Sequence, residues 1–125
     1  MATALYGISN CDTVKKARRW LDARRVDYQF VDFRKSPLEE KILRSWCRDC
    51  DFDVLLNRRS TTWRQLSESE KADVNEDKAV ALMLAHPTLI KRPVLVTSSS
   101  VHVGFKEDEY QSFLIEIANE IIEDR

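Results

Sequence analysis

The sequence predicts a one-domain α/β fold in which a β-α-β unit and a later β-β-α unit flank a stretch of short helices. Two observations carry this reading. An apolar run, a cluster of turn formers, an amphipathic helix and an aromatic-rich run follow one another within roughly thirty residues, the length of a βαβ unit. Near the other end, Val94-Leu95-Val96-Thr97 and Val101-His102-Val103-Gly104 are joined by Ser98-Ser99-Ser100, and a helical stripe follows.

In order, residues 3–8 (Thr-Ala-Leu-Tyr-Gly-Ile) form a short strand that leaves the sheet at Ser9-Asn10-Cys11-Asp12. Val14, Ala17 and Leu21 recur at helical spacing between lysines and arginines, which predicts a helix over 13–25 with Asn10 or Asp12 as its cap. Tyr28, Phe30, Val31 and Phe33 are aromatic and β-branched, the composition of a strand, and the crossover joining it to the first should be right-handed. Ser36-Pro37-Leu38-Glu39-Glu40 reads as a helix start with Ser36 as N-cap and Pro37 in the first turn, and Leu38, Ile42, Leu43 and Trp46 share one face.

Further helical pieces fall at Val54-Leu55-Leu56, from Trp63 to Leu66 and from Asp77 to Leu84, so the helical insert spans about residues 37–90. His86-Pro87 ends it, and the two valine-rich strands pair as an antiparallel hairpin. Tyr110, Phe113, Leu114, Ile117, Ala118 and Ile121 mark a closing helix.

A chain of 125 residues can bury a core without disulfides or metal. Lys and Arg number 20 against 21 Asp and Glu, so no global charge points to nucleic acid or a membrane surface. The charges are nonetheless segregated. Residues 15–25 carry Lys15, Lys16, Arg18, Arg19, Arg24 and Arg25, whereas residues 107–124 are mostly acidic. Two solvated helix faces are the ordinary explanation, and an anion-attracting surface on the first helix is the functional one. The N-terminal residues lack a basic segment followed by an apolar one, and no run is long enough to span a membrane. Three cysteines, an odd count, fit free thiols in a reducing compartment, so a cytoplasmic monomer is expected.

Cys11 carries the most chemical information. It stands where a strand passes into a helix, close to the unpaired N–H groups and positive dipole end of the first turn, which favour a thiolate. Cysteines so placed can have pKa values lowered from about 8.5 into the range ~3.5–7.5. Lys15, one turn further on, would act in the same direction. A lone cysteine is commonly a small buried hydrophobe, but the polar neighbours of Cys11 argue against burial. Arg92-Pro93 immediately before a buried strand is the second feature, and a proline at a strand's first position is in itself ordinary.

Taken together, Asn10-Cys11-Asp12-Thr13, Leu55-Leu56-Asn57-Arg58 and the segment from His86 through Ile90-Lys91-Arg92-Pro93-Val94 to Val96 resemble the glutaredoxin-coupled arsenate reductase (ArsC) family. That family includes the RNA-polymerase-binding Spx regulators and a branch of small reductases. The similarity covers residue 3 to about 120. It implies a four-stranded, mixed thioredoxin-like sheet, one nucleophilic cysteine at position 11, and Arg92 as the residue that binds an oxyanion or stabilises the thiolate. It also implies a cis bond before Pro93, whose backbone would then offer strand-like hydrogen bonds to a bound peptide or thiol.

The chain departs from the pattern at three places. Asn57 and Phe105 stand where arsenate reductases of this type carry arginines, and an apolar ring cannot replace a guanidinium's fork of donors. Arg58, one position along, could serve for the first. Val14 stands where Spx regulators have the second cysteine of their active turn.

The function this leaves is thiol-disulfide reduction by one cysteine, with a mixed-disulfide intermediate and glutathione as co-substrate. Cys11 and Arg92 are the expected catalytic residues, and Asn10, Lys15, Arg58, Arg92 and Pro93 the expected substrate-binding ones. No bound cofactor is expected. The alternatives are an Spx-type regulator docking on RNA polymerase and, second, an arsenate reductase. Cys47 and Cys50 make the literal Cys-x-x-Cys of the chain but lie late in a helical segment rather than after a strand, so they read as ordinary helix residues. His86 and His102 show no paired ligand spacing, so no metal is expected. Trp20, Trp46 and Trp63 read as packing residues rather than a stacking platform.

Overall fold

A computed structural model of the chain describes residues 3–123, with side chains described through residue 115. In chain order the elements are β1 (Thr3–Gly7), α1 (Asp12–Ala23), β2 (Tyr28–Asp32), α2 (Glu40–Asp49), α3 (Phe52–Leu55), α4 (Thr61–Gln65), α5 (Glu68–Lys71) and α6 (Glu76–Ala85). A 3-10 turn (Pro87–Leu89), β3 (Val94–Val96), β4 (Val101–Val103) and α7 (Glu107–Glu123) complete it. They fall into two compact units, one built from residues 1–32 with 92–125 and the other from 33–91. The second begins four residues earlier than the insert expected from the sequence (37 against 33) and ends one later.

The first unit holds a four-stranded sheet in the order β2-β1-β3-β4. β1 pairs with β2 in parallel and with β3 antiparallel, and β3 pairs with β4 antiparallel. α1 forms because Val14, Ala17, Trp20 and Leu21 place a stripe of apolar side chains on one helical face. That stripe packs with Leu5, Leu95 and Tyr110 into one buried cluster, which Val26, Tyr28, Phe30, Phe105 and Phe113 extend. The other face of α1 is basic, but two of its cations lie on rings: Arg18 over Phe30 at 4.1 Å and Arg24 over Trp20 at 3.8 Å. Those guanidiniums cover apolar surface while their charge stays wet. Among the closing-helix residues expected from the sequence, Tyr110 is buried. Ile117, Ala118 and Ile121 lie outside the described side chains.

In the second unit, Leu43, Trp46, Leu55, Leu56, Ala79, Val80, Met83, Leu89 and Ile90 are buried. Residues 55–57 and 89–91 bond to one another, with Asn57 N–H donating to the Leu89 carbonyl (2.7 Å) and Lys91 N–H to the Leu55 carbonyl (2.8 Å). Arg44 joins α2 to α6 through Asp77 at 2.6 Å and Glu76 at 3.4 Å.

Two local expectations are corrected. α2 starts at Glu40 with Glu39 as N-cap, leaving Ser36 and Pro37 outside the helix. A cap preference is worth only about 1 kcal/mol, and the apolar face of Ile42, Leu43 and Trp46 is complete without the earlier turn. At α1 neither Asn10 nor Asp12 caps the helix; the N-cap is Cys11, extended at φ −88°, ψ 128°.

Gly7 closes β1 against α1. A Cβ there would lie 2.7 Å from Val14 Cγ2 and 3.1 Å from Cγ1, so only glycine permits this approach. Gly7→Ala should destabilise the protein by roughly 1–3 kcal/mol in chemical denaturation. The penalty should shrink in a Val14→Ala background, and equal penalties in both backgrounds would show that the contact is not the cause.

Candidate active site

The topology brings three separated segments to one edge of the sheet. Because β1 and β2 are parallel, Asp32 at the end of β2 stands beside Gly7 at the end of β1. Because β1 and β3 are antiparallel, Tyr6 near the end of β1 faces Val94 at the start of β3, and Arg92-Pro93 precede it. The turn after β1 therefore emerges with Asp32 on one flank and Arg92 on the other. Ile8 begins that turn, buried, and Cys11 N–H closes it on the Ile8 carbonyl at 3.1 Å.

Cys11 is half-buried, and its carbonyl accepts the first helical bond of α1 from Lys15 N–H at 2.9 Å. Its side chain makes no conventional capping hydrogen bond, but the Val14 and Thr13 N–H groups of the first turn are directed at the sulfur. Burial pushes the thiol up, but Val14 N–H, the Arg92 side chain and Thr13 N–H outweigh it, and the thiol is held below its ordinary value. The Arg92 guanidinium contributes both as a hydrogen-bond donor to the sulfur and as a charge. The result is a partly accessible thiol, biased toward its charged form, beside the Arg92 guanidinium, and the charged form is the one that attacks disulfides.

The remaining residues named from the sequence are placed as follows. Lys15 is exposed and is not among the leading groups acting on the Cys11 sulfur. Asn10 is exposed on the turn itself. Pro93 is buried behind a cis Arg92-Pro93 bond, and its carbonyl accepts Gly104 N–H at 2.8 Å. That carbonyl is thus committed within the protein. Gly104 sits at φ +87°, where a side chain would be strained, and its own carbonyl accepts the Tyr110 hydroxyl at 3.3 Å. Arg58 lies in the second unit, exposed, paired with Asp53 at 2.7 Å and 5.5 Å above the Trp63 ring.

Phe105 is part of the packed core. Its ring stands edge-on to Tyr110 at 4.7 Å and 90°, and to Trp20 at 6.4 Å and 66°. The other two cysteines are free and differ from Cys11 in kind. Cys47 is buried in α2, and burial, then Glu76, push its thiol up. Cys50 is the C-cap of α2, donates to the Trp46 carbonyl at 3.4 Å, and is pushed up to about 11 by burial and by Cys47. Among the described residues no group of three or more His, Cys, Asp or Glu is placed to hold a metal ion. No helix there is long and apolar enough to cross a membrane.

Residues 6–113 match the ArsC family. The chain belongs to the ArsC family. A solved YFFB protein is 48% identical with a TM-score of 0.86, covering 89% of this chain and 97% of its own. An arsenate reductase (ArsC) related protein from Brucella melitensis is 41% identical with a TM-score of 0.72, covering 91% and 95%. An uncharacterized protein of Haemophilus influenzae shares 41% over 108 residues, 86% of this chain and 95% of its own. The global transcriptional regulator Spx 2 of Bacillus anthracis shares 26% over 113 residues, 88% and 85%. The mixed sheet is accordingly the thioredoxin-like sheet of the ArsC family, and the arsenate reductase-related neighbours point to an oxidoreductase.

Sequence reasoning located Cys11 and Arg92 but not Gly7 or Asp32, although Gly7 next to a polar turn was a visible sign of close packing. In this ArsC-family protein the pH profile of alkylation should separate the three thiols. Cys11 should react with iodoacetamide at a lower pH than an ordinary thiol, while Cys47 and Cys50 stay protonated and slow at neutral pH. Arg92→Ala should move the Cys11 midpoint upward by about one unit, as loss of a charge-assisted bond requires. An unchanged midpoint in that variant would remove Arg92 from the site.

Proposed function

We propose that this ArsC-family protein is a monothiol disulfide reductase in which Cys11 is the nucleophile and glutathione the resolving thiol. The observation that carries the reading is the Cys11 sulfur at the N-cap of α1 with Arg92 beside it. In the first step the Cys11 thiolate attacks the sulfur of a glutathione mixed disulfide. The substrate's S–S bond breaks, a Cys11–glutathione disulfide forms, and the substrate leaves as its thiolate. In the second step a glutathione thiolate attacks that intermediate, releasing oxidised glutathione and restoring the Cys11 thiolate. Overall, one substrate mixed disulfide and one glutathione thiol give the substrate thiol and oxidised glutathione, the glutathionyl unit that arrived with the substrate leaving as half of that product.

Arg92 serves in both steps. It holds the attacking thiolate charged before the first, and stabilises the same thiolate as leaving group in the second. Three free thiols suit a reducing cytoplasm, where glutathione is abundant. Reduction of arsenate is less well supported, because the ring of Phe105 is packed between Trp20 and Tyr110 where an arginine would be wanted. A two-thiol regulatory switch at the active turn is less well supported too, because Val14, fully buried, offers no second sulfur.

Intact-mass analysis after treatment with oxidised glutathione should show one glutathionyl group on the wild type and none on Cys11→Ser. Turnover of a glutathionylated peptide in a glutathione-coupled assay should fall at least a hundredfold in the same variant. A wild type that takes up glutathione but shows no turnover would remove the reductase and leave a reactive thiol without a reaction.

A further inference from the structure

The structure assigns Asp32 as a positioning residue for Cys11, fixing the turn that presents the sulfur by accepting the Ser9 N–H. This rests on Cys11 being the nucleophile, but it concerns what keeps the nucleophile in place rather than what it attacks.

Asp32 is a poor strand residue: its short polar side chain competes for backbone bonds, and aspartate is depleted in sheets. It nevertheless ends β2, following Tyr28, Phe30 and Val31. A local preference broken inside an otherwise consistent element marks a residue kept for another purpose. The register shows what the position offers. Asp32 stands opposite Gly7, the last residue of β1, and its Oδ2 accepts Ser9 N–H at 3.1 Å. Ser9 is the first exposed residue of the Ile8–Cys11 turn.

The turn is therefore tied at two points. Cys11 N–H bonds back to Ile8, which closes it, and Ser9 N–H bonds across to β2, which orients it relative to the sheet. Without the second tie the turn loses its bond across to β2. The sulfur then samples positions away from Val14 N–H, Thr13 N–H and Arg92, the groups that favour its charged form. Val14 N–H, Arg92 and Thr13 N–H, rather than the Asp32 carboxylate, are the leading groups acting to charge the sulfur. Its role is geometric, and geometry and charge make opposite predictions. Loss of a negative charge near a thiol lowers the thiol pKa, whereas loosening a thiolate from its donors raises it.

The test is the pH profile of Cys11 alkylation by iodoacetamide, followed by mass spectrometry so that Cys47 and Cys50 are scored separately. Asp32→Ala should raise the Cys11 midpoint by roughly half a unit to one unit, the worth of one net hydrogen bond passed on to the thiolate. Asp32→Asn keeps an acceptor and should return the midpoint to within about 0.2 of the wild type. A lowered midpoint in either variant assigns the residue to charge and overturns the proposal. An unchanged midpoint in folded Asp32→Ala, with only a lower melting temperature, also overturns it by leaving a purely structural role. If Asp32→Ala does not fold, Asp32→Asn decides alone: a wild-type midpoint supports positioning and a shifted one refutes it. The profile needs no turnover, so failure of the reductase reading would appear in the coupled assay with the alkylation result intact.

Discussion

A thiolate at the start of a helix draws on the N–H groups of the first turn, and that effect fades within about one turn. The constraint on this protein is therefore positional. The Cys11 sulfur must stay against Thr13 and Val14 N–H while remaining open enough to be attacked, and burial works against its charge throughout. Several features otherwise unrelated in sequence serve this. Gly7 lets the end of β1 approach α1 so closely that a methyl group would collide with Val14. The same Val14 that fills the space under Gly7 lends its N–H to the sulfur, so one residue is both packing and electrostatics.

The mixed sheet supplies the rest. In a purely parallel arrangement the segment preceding β3 would start at the far end of the sheet from the Cys11 turn. The antiparallel pairing of β1 and β3 instead places Arg92 beside that turn, and the parallel pairing of β1 and β2 places Asp32 on its other side. Arg92 in turn precedes a segment whose Pro93 carbonyl is held by Gly104, itself held by the buried Tyr110 hydroxyl. Tyr110 packs on Trp20 of α1 at 5.7 Å. The cation and the thiolate are thus mounted on a common core, which is how a pair of charges keeps its geometry without help from solvent.

Much of this was legible before the structure. Strand and helix periodicities gave every strand and the type of most helices, because apolar spacing reports which face is buried. Cys11 and Arg92 were legible because each sits at a junction where its residue type has a physical purpose. What escaped were facts of three-dimensional adjacency. The N-cap fell on Cys11, between two better capping residues, so side-chain preference alone does not decide where this helix begins. Asp32 was hidden inside an apolar run, since its purpose depends on register with β1, which no local window contains. Lys15 stands exposed on α1, outside the leading influences on the sulfur.

The literal Cys-x-x-Cys motif shows why position outweighs pattern. Cys47 and Cys50 sit at the C-terminal end of α2, where the exposed groups are carbonyls and the dipole is negative. Cys50 there gives its proton to a backbone acceptor, Trp46 O, instead of receiving hydrogen bonds from N–H groups. Neighbouring Asp49 and Asp51 oppose ionisation further. Cys11 meets donors rather than acceptors, a positive helix end, and the Arg92 guanidinium. Two thiols at the C-terminal end of a helix are pushed up, while one at the N-terminal end is held down. Cys47 and Cys50 are accordingly disfavoured as thiolates at neutral pH, which is where thiol-disulfide exchange needs them charged.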